Sequence, residues 1–121
     1  MNIKGSVAVV TGAASGIGRS LAEELARRGA KALALVDHSS SVAEVAKAIN
    51  AQTGTTMASS FSGDVTDPKF RLGVFGELHD RHGMVNICVS AAGITRDGLA
   101  VKVDKATNKV VTYPLDQFRQ V

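Results

Sequence analysis

Three short, almost wholly apolar runs punctuate the chain: Val7 to Val10, Ala32 to Val36 and Val85 to Val89. None alternates apolar with polar residues, as a strand with one wet face would. Each therefore reads as a strand buried on both faces of a parallel sheet. Between them the spacing turns helical. Leu21 and Leu25 stand four apart with Ala22 and Ala26 beside them, predicting a helix over 19–28. Val42, Val45, Ala46 and Ile49 fall at i, i+3, i+4 and i+7, a second helix that Ser39 to Ser41 can cap and Gly54 can close. Residues 55–62 form a polar-tinged third strand, suited to an outer position. Pro68 opens a third helix whose buried face is Phe70, Val74, Phe75 and Leu78. Strands alternating with helices predict an α/β fold with a doubly wound parallel sheet.

From Ile94 the period falls to two. Leu99, Val101 and Val103 alternate with polar residues, as do Val111 and Tyr113, around Ala106-Thr107-Asn108. Residues 94–114 are thus expected to form a polar-tipped hairpin. Pro114 ends it, and Asp116 to Val121 reads as the first turns of another helix.

Composition narrows the picture. At 121 residues the chain is expected to be one domain over 1–121, and 45% hydrophobic content with 12 glycines suits close packing of helices on a sheet. The net charge of +3 comes with no basic block, and Arg27-Arg28 sits at a helix end where cations favour the dipole, so nucleic acid is not an expected partner. The single cysteine, Cys88, excludes an internal disulfide and, inside an apolar run, is expected to be a buried thiol. No secretory leader and no run of membrane-spanning length is visible, which predicts a soluble, cytoplasmic protein with no membrane partner. His79, Asp80 and His82 cluster at the end of the third helix, but they read as a solvated terminus rather than as metal ligands.

The chemistry concentrates in Thr11-Gly12-Ala13-Ala14-Ser15-Gly16-Ile17-Gly18, on a strand-to-helix turn. Glycines there let the backbone approach a pyrophosphate, and the helix N-terminus supplies free N–H groups and the positive dipole end. Gly18 would also bring the helix close to the strand. The second apolar strand ends in Asp37, nineteen residues after Gly18. That is where a dinucleotide fold places the acid that accepts hydrogen bonds from the adenosine ribose. Asp64 admits a plainer reading too, as a cap leading to Asp67-Pro68.

The spacing Thr-Gly-x-x-x-Gly-Ile-Gly resembles the cofactor fingerprint of the short-chain dehydrogenases/reductases. Gly63-Asp64-Val65 and Ser90-Ala91-Ala92-Gly93 fall where that family keeps its adenine-side Asp-Val and its Asn-Asn-Ala-Gly. The resemblance covers about the first 98 residues. It implies a Rossmann-type sheet in order 3-2-1-4, with a cofactor site made of Gly12, Ser15, Gly16, Ile17, Gly18, Asp37, Asp64, Val65, Ser90, Ala91, Ala92 and Gly93. It implies hydride exchange between NAD(H), preferred over NADP(H) because of Asp37, and a small alcohol or ketone, in a homo-oligomer. The hairpin resembles an insertion that some members carry near the substrate entrance. Ser90 and Ala91 replace the family's two asparagines, so side-chain ties at that strand end are expected to be weaker.

The family's catalytic Asn, Ser and Tyr with Lys four residues on have no counterpart. The only tyrosine, Tyr113, is followed by Pro114, has Gln117 four residues on, and lies too early. No catalytic residue is therefore assigned, and the chain is expected to be the truncated cofactor-binding half of such an enzyme, inactive alone. The competing readings are a nucleotide-binding module without turnover and a methyltransferase using S-adenosylmethionine, which also places glycines after its first strand. The fourth strand should then either self-associate through its outer edge or be covered by the folded-back hairpin.

Overall fold

The computed structural model of the chain describes residues 2–120. The apolar runs become β1 (Val7–Thr11), β2 (Ala32–Asp37) and β4 (Ile87–Ser90), and the polar-tinged segment becomes β3 (Ala58–Ser62). All four pair in parallel in the order β3-β2-β1-β4, so the two most apolar strands lie inside and β3 is at an edge. β2 is buried along its whole length.

Three helices connect the strands: α1 (Gly16–Arg27), α2 (Val42–Thr53) and α3 (Pro68–His82). Period two along the strands divides the core between the two faces of the sheet. Ala8, Val10, Leu33 and Leu35 face α1 and α2, packing on Leu25, Ala26, Val45 and Ile49. Val7, Val9, Ala34 and Val36 face α3 and meet Val74 and Leu78. Pro68 occupies the first turn of α3, where Asp67 caps it by accepting from Lys69 N at 2.9 Å, and Gly54 closes α2 with a left-handed φ of 66°.

The structure departs from the sequence in several places. Leu21 and Phe75 are more than a third exposed, because each helix buries a narrower stripe than its apolar residues offer. The serines before α2 do not cap it with their side chains; Ser41 opens the helix already in αR geometry, while the Ser39 and Ser41 hydroxyls bond each other at 2.8 Å. Cys88, expected to be buried, is exposed. It shares a face with Val9, its partner in register, but α3 covers β1 and β2 and leaves β4 open on that side.

The hairpin forms as expected, from β5 (Val101–Asp104) and β6 (Lys109–Thr112), with Val103 opposite Val110. It pairs only with itself among the described residues and does not cover the outer edge of β4, which overturns the fold-back expectation. A short α4 (Leu115–Arg119) follows; the end of the helix expected over 116–121 lies outside the described residues at Val121.

Candidate functional site

The C-terminal ends of β1, β2 and β4 converge on the glycine turn. Gly12 has φ +67°, and a Cβ there would lie 2.7 Å from Ala91 O and 2.8 Å from Ala92 N. A Cβ on Gly18 would lie 2.2 Å from Gly12 O. These two glycines are therefore required by close backbone packing of the turn, α1 and the segment after β4. Gly16 is different. Its φ is +54°, yet an added Cβ meets nothing within 4 Å. The space above Gly16 is open, at the start of a helix whose first N–H groups have no intrahelical acceptor. Ser15 makes no side-chain cap to occupy them, and Ser15, Gly16 and Ile17 are all exposed. This opening, with the dipole behind it, is a cradle of the kind that holds a phosphate.

Asp37 ties the turn to the next strand. Its Oδ2 accepts from Ala14 N at 3.0 Å and its Oδ1 from Ser39 N at 3.0 Å, while Val36 O accepts from Ala13 N at 3.2 Å. Burial pushes the Asp37 carboxyl up, but the Ser39 and Ala14 N–H groups, with His38 beside them, outweigh it and hold the group below the usual carboxylate range. The ionised carboxylate keeps acceptor sites beyond the two that the backbone uses.

Asp64 lies in the turn after β3, where its Oδ1 accepts from Thr66 N and Thr66 Oγ1, both at 2.8 Å. Those bonds, the backbone one first, lower its carboxyl below the ordinary value. Asp67, not Asp64, caps α3, so the plainer expectation for Asp64 resolves into a local turn. Arg71 Nη1 donates to Val65 O at 2.7 Å, and the Phe70 ring stands where a side chain on Gly63 would be. The Gly63-Asp64-Val65 turn is thus held from the first turns of α3.

Ser90 ends β4, and the Ala91-Ala92 backbone lies against Gly12. At this strand end Thr11 makes the tie: its Oγ1 donates to Val89 O at 3.4 Å and accepts from Ala92 N at 3.1 Å. An open, mainly apolar groove of about 270 Å³ lies between the sheet and α3, lined by Val9, Phe70, Val74 and Cys88 and reaching Thr11, Val65 and Ala92 at its rim.

All twelve residues expected at the site lie at the ends of β2 and β4, on the turns that follow β1, β3 and β4, or in the first turn of α1. The tie from Thr11 to β4 and the hold of Arg71 on Val65 were not foreseen. A hydroxyl ending a buried strand was a usable signal for Thr11, whereas nothing local marked Arg71. Tyr113 sits at the hairpin base, its ring over Gly98 and its hydroxyl donating to Arg96 O, a packing role. Among the described residues no three of His, Cys, Asp or Glu are close enough to hold a metal ion, and no helix is long and apolar enough to cross a membrane.

Comparison with known proteins agrees with this geometry. The family model described as short chain dehydrogenase matches residues 6–113. The chain is 36% identical over 112 residues to the 3-oxoacyl-acyl-carrier-protein reductase of Escherichia coli, covering 92% of this chain and 44% of that protein. It is 39% identical over 98 residues to trihydroxynaphthalene reductase of Colletotrichum orbiculare, covering 80% of this chain and 34% of that one. Among solved structures, L-sorbose reductase from Gluconobacter frateurii, complexed with NADPH and L-sorbose, superimposes with a TM-score of 0.72 at 29% identity. That match covers 82% of this chain and 38% of the reductase.

Proposed function

The chain belongs to the short chain dehydrogenases, a family of oxidoreductases, and from that premise we propose that residues 6–93 form the dinucleotide site of an NAD(H)-dependent enzyme acting on a small alcohol or ketone. The observation that carries this reading is the open space over Gly16, at a helix N-terminus, beside an ionised Asp37. The nicotinamide group, when bound, supplies the hydride chemistry. This chain's residues would hold it: Gly12, Ser15, Gly16, Ile17 and Gly18 at the pyrophosphate, Asp37 at the adenosine ribose, Asp64 and Val65 at the adenine, and Ser90 to Gly93 at the second ribose.

Preference for NAD(H) follows from charge. A 2′-phosphate beside Asp37 would meet a like charge, whereas ribose hydroxyls would donate to it. The NADPH in the L-sorbose reductase complex is the observation against that preference, and Asp37→Ser decides it. The variant should lose affinity for NADH relative to NADPH; unaltered selectivity would mean Asp37 serves only its backbone partners. Gly16→Val tests the cradle itself. Because Gly16 has φ +54°, the branched side chain also strains the turn, so NADH binding should be lost together with about 1–3 kcal/mol of stability, and retained binding would make the turn merely structural.

No proton-transfer role is assigned to any described residue, since Tyr113 is committed to the hairpin base. That favours a second reading, a nucleotide-binding module without turnover. Purified protein that binds NADH yet reduces no ketone would fit it. The proposed setting is the cytoplasm, as a homo-oligomer; the unpaired outer edge of β4 is a surface on which association can be measured by sedimentation.

A further inference from the structure

The guanidinium of Arg71 stands where a cation is out of place. It belongs to the first turn of α3, at the positive end of the helix dipole, and no acidic residue shares that turn. The side chain is exposed, yet it does not simply run out to water: Nη1 turns back along the chain and donates to Val65 O at 2.7 Å. We infer that Arg71 is a positioning residue for the adenine ring, which it serves without touching the ligand by fixing the Asp64-Val65 turn. The inference rests on reading Asp64 and Val65 as the adenine contacts.

The bond acts on one peptide group. The Val65 C=O accepts from Arg71, and the N–H of the same peptide, on Thr66, donates to Asp64 Oδ1 at 2.8 Å. That peptide therefore lies between a guanidinium and a carboxylate, and each charge strengthens the hydrogen bond to the other. Thr66 Oγ1 donates to the same Oδ1 at 2.8 Å. The Thr66 donors, and after them the Arg71 charge, outweigh desolvation and hold the Asp64 carboxyl below its ordinary value. Asp64 thus stays an acceptor whose orientation is set through one oxygen. The other, Oδ2, makes no hydrogen bond among the described residues.

Val65 N–H likewise has no acceptor among the described residues, so a free acceptor and a free donor stand on consecutive residues. The outer edge of adenine carries the complement, an amino group that donates beside a ring nitrogen that accepts. Hypoxanthine reverses both, with an oxygen in place of the amino group and a hydrogen on the ring nitrogen. Without Arg71 the Val65 carbonyl loses its anchor, and the turn is free to rotate both groups away from the base edge.

The test compares 5′-AMP with inosine 5′-monophosphate, titrated calorimetrically into the wild-type chain, Arg71→Met and Arg71→Lys. Wild-type protein should prefer AMP by about tenfold or more, because the inosine base sets acceptor against acceptor and donor against donor. Arg71→Met keeps an apolar stem without a donor, and should lower that preference to about two- to threefold with circular dichroism unchanged. Arg71→Lys restores a donor and should recover part of the preference. A purely structural role would weaken both nucleotides alike and leave their ratio as it was. If Arg71→Met keeps the wild-type ratio, the inference fails and the adenine reading stands. If the wild-type chain binds both nucleotides equally, or neither, the adenine reading fails and the inference falls with it.

Discussion

The segments on either side of Gly93 are built by different means. Residues 6–93 bury their strands: Ala8, Leu33, Ala34 and Leu35 have no exposed surface, and every strand pairs with one distant in sequence. Residues 94–120 pair only locally, and Val101, Val103 and Val110 are more than half exposed. An isolated two-stranded ribbon is marginally stable in water, so its fixed features are at its ends. At the base Tyr113 covers Gly98, and at the tip Asp104 accepts from Ala106 N and Thr107 N. The difference teaches where precision comes from. The twelve residues proposed for the site all lie at or just after the C-terminal ends of the sheet strands, and none is on the ribbon.

The largest test of this contrast is Leu35→Ala, which should cost about 2–5 kcal/mol in urea unfolding because it opens a cavity in a fully buried strand. A loss below about 1 kcal/mol would mean the body is as loosely packed as the ribbon. Next comes Gly18→Ala. Its methyl would press on Gly12 O, so about 1–3 kcal/mol should be lost, with NADH binding lost in parallel. Stability without that loss would show that the turn can relax away from α1.

Acid supplies a smaller effect. The Asp37 carboxyl is held below its ordinary value, so its contribution is complete above the unfolded-state value near 3.8 and disappears as pH falls through the folded-state value. Wild-type protein should therefore lose more stability on acidification than Asp37→Asn, and parallel curves would deny Asp37 its role in fastening the turn. The smallest effect belongs to Val103→Ala, which should move the unfolding midpoint by less than about 0.5 kcal/mol. A core-sized loss there would place the ribbon inside the cooperative unit.

Much of this was legible in the sequence. Continuous apolar runs located β1, β2 and β4, the family resemblance implied the sheet order, and the glycine spacing located the turn. What escaped depends on neighbours. Cys88 reads as buried because its own run is apolar, but burial requires a cover, and α3 lies over β1 and β2 instead. The Thr11 tie spans most of the chain, from β1 to Ala92, so although its hydroxyl was visible its partner was not. The division among the glycines also needed coordinates: Gly12 and Gly18 are packed against backbone while Gly16 stands open, yet all three look alike in the motif.

The position of β4 beside β1 has a consequence in time. β1, β2 and β3 follow one another in the chain and can pair as they are made, but the other edge of β1 waits for a strand that begins at Ile87. Asn86, whose side chain accepts from Val7 N at 2.9 Å, arrives 79 residues after its partner. At a synthesis rate of about 5–20 residues per second, that interval is roughly 4–16 seconds during which the first strand has one neighbour only. The cleft wall made by Ala91 and Ala92 is thus the last side of the site to be laid down, and the glycine turn stands ready before there is anything opposite it to close the groove.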